Sequence, residues 1–280
     1  HWDGLQWDTL SDGLPNGMTV QDMDWAENYL WMLLGDQSLV RWENDTWKTA
    51  PSPAGLRLIG MKSLGDTLFS WGYLVSGNVG YAAISYFNSG AWTQLPPLSE
   101  YNTISDVEQW GQKIYIALGN KILQWNGNSW DEFYSVNASQ SIKHIVGIQN
   151  DLFVCSQKSS SYRIEKLDAD ANATLIGTIE NPSNSNWVAK AIKGKLWIGG
   201  GFSHIDDQYL GGLAWYNGSN WESPGQPVGT FLSSTYGFCL YRDTLSGDLY
   251  VGGEFDFAGS GFASNIARWD GAQWHPMGAG

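Results

Sequence analysis

Three oxygen-bearing side chains alternate along one short polar segment of the sequence. Asp168, Asp170 and Asn172 stand at every second position, and alternating carboxylate and amide oxygens are typical of a calcium-binding loop. The glycine that such a loop needs at its sixth position is replaced by Ala173, and its twelfth position carries Ile179 in place of glutamate. The sequence therefore favours a plain turn here and no cofactor, with a calcium site at Asp168, Asp170 and Asn172 as the alternative.

A second group of reactive side chains is a pair of neighbouring carboxylates. Asp206 and Asp207 are of the type that a polysaccharide-hydrolysing enzyme uses as acid and base. Neighbouring residues of a strand point to opposite faces, so adjacency alone gives such a pair weak support. The sequence has no Gly-x-Ser-x-Gly turn, no His-Glu-x-x-His zinc motif and no Cys-x-x-Cys pair. An enzyme is therefore the less favoured interpretation.

Aromatic and polar side chains in three long loops are candidates for ligand binding. These residues are Tyr73, Tyr81, His204, Asp206, Asp207, Tyr209 and Phe257. Aromatic rings present flat apolar faces that pack against the C–H groups of a sugar or against a protein side chain. Variable loops on a rigid scaffold are where binding usually resides. Surface decoration without a ligand is the alternative.

These loops are placed by a unit that recurs along the whole chain. Each copy contains an apolar dipeptide, an aromatic residue, a short turn rich in Asn, Asp or Gly, and then a tryptophan. The position of the aromatic residue is held in successive copies by Trp2, Trp42, Tyr86, Trp125, Leu167, Trp215 and Trp269. The copies follow one another at intervals of roughly 40 to 50 residues, which is the length of a β-propeller blade.

Each copy also has an earlier half, in which a β-rich stretch, a polar turn and a second strand follow one another. The second strands are predicted at residues 29–33, 67–71, 113–117, 151–155, 195–199 and 248–252. The pattern therefore predicts an all-β fold, a β-propeller of six four-stranded blades that forms a single domain over residues 1–280. Residues 5–10 add one strand before the first complete set. Seven blades, one of them incomplete, and a longer parent surface protein therefore stay open as alternatives.

Composition agrees with this fold and argues against two classes of partner. Charged residues make up only 15% of the chain and 17 residues are tryptophan, which suits short strands joined by tight turns. The net charge of −13 disfavours nucleic acid, because phosphate backbones attract basic surfaces. No run of 18 or more apolar residues occurs, so no membrane-spanning helix is predicted. Cys155 and Cys239 each lie in an apolar stretch, and we expect both to be buried free thiols.

Two of the copies carry a resemblance to known proteins. Residues 249–255 (Leu-Tyr-Val-Gly-Gly-Glu-Phe) and 265–278, which include Arg-Trp-Asp-Gly-Ala-Gln-Trp, resemble the repeats of secreted and cell-surface propeller proteins of bacteria. They are also similar to the propeller of the fungal cortical polarity-marker family. Residues 86–98 resemble a kelch repeat. These resemblances imply an extracellular location and a role in binding or scaffolding, with no common ligand.

The sequence as a whole favours a non-enzymatic binding module, secreted or on the cell surface. The expected partner is a protein or a glycan, which binds the loop-rich face of the propeller. Two other functions stay open: an enzyme domain that acts on polysaccharide, and a structural spacer within a cell-surface protein. Fold alone does not decide among them, because one fold serves many functions.

Overall fold

The computed structural model describes residues 7–10, 12–14, 17–76, 79–98, 102–180, 182, 187–224, 239–243 and 245–277. Its regular structure in these residues is entirely β, with 28 strands. Twenty-four of these strands form six four-stranded antiparallel sheets, and the other four form two short hairpins. The protein is therefore a β-propeller of six four-stranded blades, which confirms the predicted fold class. The described residues include no helix that could cross a membrane.

Blades 1 and 2 and most of blade 3 belong to one compact unit, formed by residues 1–109 and 113–132. In each blade every strand pairs with the strand that follows it. Blade 1 consists of β1 (Val20–Ala26), β2 (Tyr29–Leu34), β3 (Leu39–Glu43) and β4 (Thr46–Thr49). Blade 2 consists of β5 (Leu56–Leu64), β6 (Thr67–Ser76), β7 (Val79–Asn88) and β8 (Ala91–Gln94). Blade 3 consists of β9 (Ile104–Trp110), β10 (Lys113–Leu118), β11 (Lys121–Trp125) and β12 (Trp130–Ser135).

Blades 4 to 6 belong to a second unit, formed by residues 110–112 and 133–280. Blade 4 consists of β13 (Ser141–Ile148), β14 (Asp151–Lys158), β15 (Ser161–Leu167) and β16 (Ala173–Glu180). Blade 5 consists of β17 (Trp187–Ile192), β18 (Lys195–Gly200), β21 (Leu213–Tyr216) and β22 (Trp221–Glu222), with the hairpin β19 (His204–Ile205) and β20 (Gln208–Tyr209) inserted. Blade 6 consists of β23 (Cys239–Arg242), β24 (Leu249–Gly252), β27 (Ile266–Trp269) and β28 (Trp274–Pro276), with the hairpin β25 (Phe257–Ala258) and β26 (Gly261–Phe262) inserted.

The core of the first unit lies between successive blades. Trp31, Leu58 and Phe87 of blades 1 and 2 are buried in one cluster, and the rings of Trp31 and Phe87 meet edge to face with centroids 4.9 Å apart. A second cluster contains Trp71 of blade 2 and Ile116 of blade 3. A single sheet cannot cover its own faces, so stacking on the next blade removes these side chains from water.

The second unit is packed in the same way. Tyr162 of blade 4 lies against Trp187 of blade 5, with ring centroids 3.9 Å apart. Ile205, from the hairpin inserted in blade 5, belongs to the same buried cluster. Blades 5 and 6 share another cluster that contains Trp197 and Val251. The inserted hairpin of blade 5 is thus anchored in the core.

Charged side chains join the first strands of successive blades in the first unit. The Asp22 carboxylate accepts a hydrogen bond from the Met61 backbone N–H at 3.1 Å. Lys62 forms ion pairs with Asp106 and Glu108, at 3.0 and 2.8 Å. Burial alone would lower the pKa of Lys62, but the two carboxylates outweigh burial and hold the pKa above its usual value. These contacts fix the relative positions of β1, β5 and β9.

In blades 1, 2, 5 and 6 an aromatic residue faces a tryptophan across the last two strands of the blade. The cross-strand pairs are Trp42 with Trp47, Phe87 with Trp92, Tyr216 with Trp221, and Trp269 with Trp274. The predicted positions Tyr86 and Trp215 are therefore wrong by one residue. A shift of one residue moves a strand side chain to the opposite face. Blades 2 and 5 each have two consecutive aromatic residues at this point, so the sequence alone does not show which of the two faces the tryptophan.

Two kinds of turn join these strands. Blade 1 uses the predicted two-residue turn, in which Asn44 and Asp45 have φ of 51° and 59°. Blade 5 uses a longer turn, in which Asn217 Oδ1 accepts backbone N–H bonds from the residues two and three positions later, both at 2.9 Å. Gly218 follows with a φ of 104°, a conformation that glycine adopts without strain. Blades 3 and 6 repeat this Asx–Gly turn.

An indole N–H connects the last strand of several blades to an earlier segment of the chain, a contact that we call the indole latch. The donors and acceptors are Trp47 Nε1 to Leu10 O, Trp92 Nε1 to Pro51 O, Trp221 Nε1 to Ile176 O and Trp274 Nε1 to Pro224 O, at 2.7, 2.7, 2.7 and 3.3 Å. In blade 1 the acceptor is Leu10, at the end of the segment 5–10 for which the sequence predicts an extra strand. Residues 5 and 6 lie outside the described residues. Residues 7–10 form no strand beyond an isolated bridge at Trp7, so the prediction is wrong for the described part of the segment.

Both cysteines are free thiols. Cys155 is buried, as predicted, but Cys239 is exposed, so the prediction of burial is wrong for that residue. Alternation along β23 explains the difference, because the adjacent Leu240 is only 1% exposed and occupies the core side of the strand.

Candidate ligand-binding site

Two short hairpins of the second unit have the same construction. Hairpin 5 (β19 and β20) and hairpin 6 (β25 and β26) each lie between the second and third strands of their blade. His204 pairs with Tyr209 in hairpin 5, and Phe257 pairs with Phe262 in hairpin 6. Positions 204 and 209 recur at 257 and 262, each 53 residues later. The four rings therefore occupy equivalent places on two blades.

Both ring pairs are exposed to solvent. The rings of His204 and Tyr209 meet edge to face with centroids 5.3 Å apart, and those of Phe257 and Phe262 do so at 5.7 Å. Tyr209 is 54% exposed, Phe257 43% and Phe262 60%. Edge-to-face packing holds each ring against its partner while an apolar surface stays in water. The exposed rings of the two hairpins are therefore the candidate contact surface for a ligand.

Hairpin 5 is held in place by Asp206 at its tip. The Asp206 carboxylate accepts a hydrogen bond from the Thr178 backbone N–H at 2.9 Å. The Asp206 backbone N–H donates in turn to the Thr178 carbonyl at 2.7 Å. Asp206 also has a positive φ of 50°, which Asp tolerates better than most residues. This predicted ligand residue therefore positions the hairpin against β16 of blade 4.

The base of hairpin 5 requires a glycine on the neighbouring strand. A Cβ atom at Gly177 would lie 2.7 Å from the Ile205 side chain and 2.8 Å from the Trp221 indole nitrogen. Gln208 Nε2 also donates to the Trp221 carbonyl at 3.0 Å. The close approach of β16 thus seats the hairpin while its outer face remains in solvent.

Hairpin 6 is held mainly by its backbone and by small side chains. Ala258 and Ala263 are 3% and 1% exposed. The Ala263 backbone N–H donates to the Asp256 carbonyl at 2.8 Å. The bond close to the base of the hairpin thus joins main-chain atoms and does not involve the two phenylalanine side chains.

Polar groups surround the ring pair of hairpin 5. The Ser203 hydroxyl lies 2.9 Å from His204 Nδ1, and Asp207 and Gln208 are exposed. Hydroxyl, imidazole, carboxylate and amide groups beside exposed rings supply both donors and acceptors. The surface can thus combine apolar contact with hydrogen bonding.

The third predicted loop belongs to the first unit, as the extended hairpin of β6 and β7. The Tyr73 hydroxyl shares a hydrogen bond with the Thr103 hydroxyl, and its ring is half-buried. Tyr81 is 36% exposed, and Leu74 lies opposite it on the partner strand. Tyr81 is therefore the more accessible of these two predicted residues.

The predicted calcium segment forms a turn between β15 and β16. Asp168 Oδ1 accepts backbone N–H bonds from Asp170 and Asn172, at 3.0 and 2.9 Å, and Oδ2 accepts from the Asn172 side-chain amide at 2.9 Å. These bonds, the Asn172 amide first, lower the pKa of Asp168. The described residues hold no group of three or more His, Cys, Asp or Glu side chains placed to bind a metal. Calcium binding here stays a prediction.

Phe262 is the residue of the ring pairs that sequence reasoning missed. The sequence does contain a signal for it. When blades 5 and 6 are aligned at Gly199-Gly200 and Gly252-Gly253, Phe262 takes the position that Tyr209 has in blade 5. The hairpin inside the loop was not predicted, since strands of two residues give no alternation pattern to detect.

Comparison with known proteins supports the fold. No protein-family model and no curated protein matches the chain. Among solved structures, the extracellular domain of a protein from B. thetaiotaomicron, assigned as a one-component system, matches with a TM-score of 0.61 at 11% identity. That match covers 96% of this chain and 35% of the other, so the chain spans about a third of that length. A protein from Lactobacillus plantarum matches with a TM-score of 0.50 at 14% identity, over 87% of this chain and 80% of the other.

Proposed function

We propose that the protein is an extracellular, non-enzymatic binding module that recognises a protein or glycan through hairpins 5 and 6. The observation that carries this proposal is the duplicated ring pair, in which His204 with Tyr209 and Phe257 with Phe262 are exposed at equivalent places. Rigid aromatic side chains bury a large apolar area and lose little conformational freedom when they bind. Two such pairs on successive blades provide two contact points for one extended ligand.

The geometry of hairpin 5 weakens the alternative of a polysaccharide-active enzyme. A glycosidase needs two carboxylates that both face the scissile bond. The Asp206 carboxylate is committed to the Thr178 backbone N–H, while Asp207 stands exposed beside it at the hairpin tip. This pair therefore gives no acid and base arrangement, and no other observation on the hairpins favours turnover over binding.

The extracellular location rests on two supports. One of the similar structures is itself an extracellular domain. The repeats at residues 249–255 and 265–278 also resemble those of secreted and cell-surface bacterial propellers, with a kelch-like repeat at residues 86–98. At 11% identity this similarity shows a shared fold only, so the extracellular location remains part of the proposal.

A glycan array probed with the labelled protein tests the nature of the ligand. We expect binding to a restricted set of glycans, and the loss of that binding in the Tyr209→Ala/Phe262→Ala variant. If the protein binds no glycan on the array, a glycan ligand is excluded and a protein ligand remains. Release of reducing ends from any bound polysaccharide would instead support the enzyme and contradict a pure binding role.

A further inference from the structure

Four blades have an indole latch, whereas blade 3 shows none in the part of the chain that the structure describes. Trp130 occupies the position of Trp92 and Trp274, at the first tryptophan after the turn. Its Nε1 is buried and has no hydrogen-bond partner among the described residues. A buried donor without an acceptor is unfavourable, because it has lost its bonds to water and gained none in return. Trp130 therefore has an unused hydrogen-bonding capacity that its counterparts do not have.

The expected acceptor for Trp130 is Pro96. In blades 2 and 6 the latch acceptors are Pro51 and Pro224, and each lies two residues after the end of a last strand, β4 or β22. Pro96 lies two residues after the end of β8. Pro96 and Trp130 instead line a cleft of about 350 Å³. The two residues that correspond to a latch donor and its acceptor thus both stand in the wall of this cleft.

The walls of this cleft combine an apolar surface with a neutral polar rim. Pro97 and Leu123 line it together with Trp130. At its rim Lys121 Nζ and Glu132 Oε2 lie 3.4 Å apart. These two residues are the charged ones among those that line the cleft, and their charges cancel. A net charge on a ligand would therefore find no compensation, whereas hydroxyl groups would find both a donor and an acceptor.

We propose that the cleft of blade 3 binds one neutral sugar ring. The apolar C–H face of the ring packs on the accessible part of the Trp130 ring and on Pro97 and Leu123. The ammonium of Lys121 donates to one hydroxyl oxygen, and a hydroxyl group donates to Glu132. The volume of the cleft stands at the lower end of the range of about 300–1,000 Å³ for small-molecule sites, which suits one ring. The site lies in the first unit and does not depend on hairpins 5 and 6.

Indole nitrogen NMR tests this proposal directly. The full chain is labelled with ¹⁵N at its tryptophans, and the Trp130 resonance is assigned from the Trp130→Phe variant. Glucose, galactose, mannose and N-acetylglucosamine are then titrated separately to millimolar concentrations. We expect at least one sugar to move the Trp130 resonance with saturation. The resonance of Trp92, whose N–H is already bonded to Pro51, should stay in place.

The Glu132→Gln variant is the matched control for specific contacts. It keeps the shape of the cleft and removes the charged acceptor, so we expect roughly tenfold weaker sugar binding. Two results overturn the proposal: no sugar moves the Trp130 resonance, or Trp92 and Trp130 move together without saturation. Loss of ligand binding in the Tyr209→Ala/Phe262→Ala variant leaves this titration unchanged, so the two proposals can fail separately.

Discussion

Two neighbouring aspartates have different roles in hairpin 5. Asp206 accepts a backbone N–H from blade 4 and donates its own N–H to the same residue, whereas Asp207 stands at the tip in solvent. The residue type does not distinguish them, because both are carboxylates in one polar turn. The contact with Thr178 distinguishes them, because it shows that Asp206 holds hairpin 5 in position.

Replacement of Asp206 should therefore destabilise the protein more than replacement of Asp207. Asp206→Ala removes the acceptor for Thr178 and places alanine at a positive φ, so we expect a loss of about 1 to 3 kcal/mol in the free energy of unfolding. Asp206→Asn keeps an oxygen acceptor and should retain most of the stability. Asp207→Ala should change it by less than about 0.5 kcal/mol. Urea unfolding of the three variants measures this, and equal losses for Asp206→Ala and Asp207→Ala would contradict the assignment.

Several aspartates that cap turns have pKa values below the usual value for a carboxyl group. In blade 6 the hydrogen bond from His275, followed by the backbone N–H groups of Gln273 and Ala272, holds the pKa of Asp270 well below its usual value of 3.8. Hydrogen bonds also lower the pKa values of Asp243 and Asp168. A depressed folded-state pKa means that the carboxylate contributes stability above the usual value and loses it as the pH falls through the folded value.

We expect the melting temperature to fall as the pH drops below about 4. Asp270→Asn should reduce this fall, because the amide oxygen keeps the two backbone bonds, as Asn217 does in blade 5, and no longer takes up a proton. Thermal unfolding between about pH 2 and pH 6 measures both profiles. An identical acid slope in the variant and the wild type would show that Asp270 is not a source of it.

At the scale of elements, the indole latch is the contact that distinguishes blade 3 from its neighbours. Trp92 donates to the chain that follows β4, while Trp130 has a buried nitrogen without a partner in the described part of the chain. Both residues pack against an aromatic residue of their own blade, Phe87 at 5.3 Å and Trp125 at 5.1 Å between ring centroids. The two positions therefore differ mainly in one hydrogen bond.

Replacing tryptophan by phenylalanine at both position 92 and position 130 isolates the contribution of that hydrogen bond to stability. Both substitutions replace an indole by the smaller phenyl ring. Trp92→Phe also removes the hydrogen bond to Pro51, whereas Trp130→Phe removes only an N–H group that has no partner among the described residues. We expect Trp92→Phe to lower the free energy of unfolding by about 1 kcal/mol more than Trp130→Phe in sugar-free buffer. Chemical unfolding of both variants measures the difference. A larger loss at Trp130 would mean that its indole N–H is bonded in solution.

The strands were predictable to the extent that their side chains alternate or repeat. The second strands expected at 29–33, 151–155 and 195–199 are observed as β2, β14 and β18 with nearly the same bounds. Register was less predictable at the aromatic pairs of residues 86–87 and 215–216, because two adjacent aromatics satisfy the pattern equally well. The turns of blades 3, 5 and 6 also differ from the expected two-residue type, since Asx side chains cap a longer loop there.

The loops that form the candidate site could be predicted from the sequence, but the contacts between their side chains could not. Composition indicates that Tyr209 and Phe257 lie in polar loops, and the structure adds that each belongs to a ring pair. The engagement of Asp206 depends on Thr178, a contact across 28 residues that no local pattern encodes. The cleft that Trp130 lines could not be predicted, because sequence spacing places a tryptophan there as in the other blades.

At the scale of the whole molecule, a repeated blade forms the scaffold, and the segments between its strands differ from blade to blade. Each blade supplies the same core contacts, so the scaffold tolerates divergence in the loops between strands. Blades 5 and 6 use that freedom to carry hairpins with exposed rings, and blade 3 uses it to leave a cleft. The net charge of −13 disfavours polyanionic partners.

The most direct test of the account is the affinity of the array-selected ligand, measured by calorimetry, for three forms of the protein. The wild type, the Tyr209→Ala/Phe262→Ala variant and the Tyr241→Ala variant are compared, since Tyr241 is also exposed, at 63%, but lies on β23 outside both hairpins. Removal of two aromatic anchors should weaken binding by at least about tenfold, while Tyr241→Ala should bind as the wild type does. Unchanged affinity in the double variant, or an equal loss in Tyr241→Ala, would contradict binding through hairpins 5 and 6.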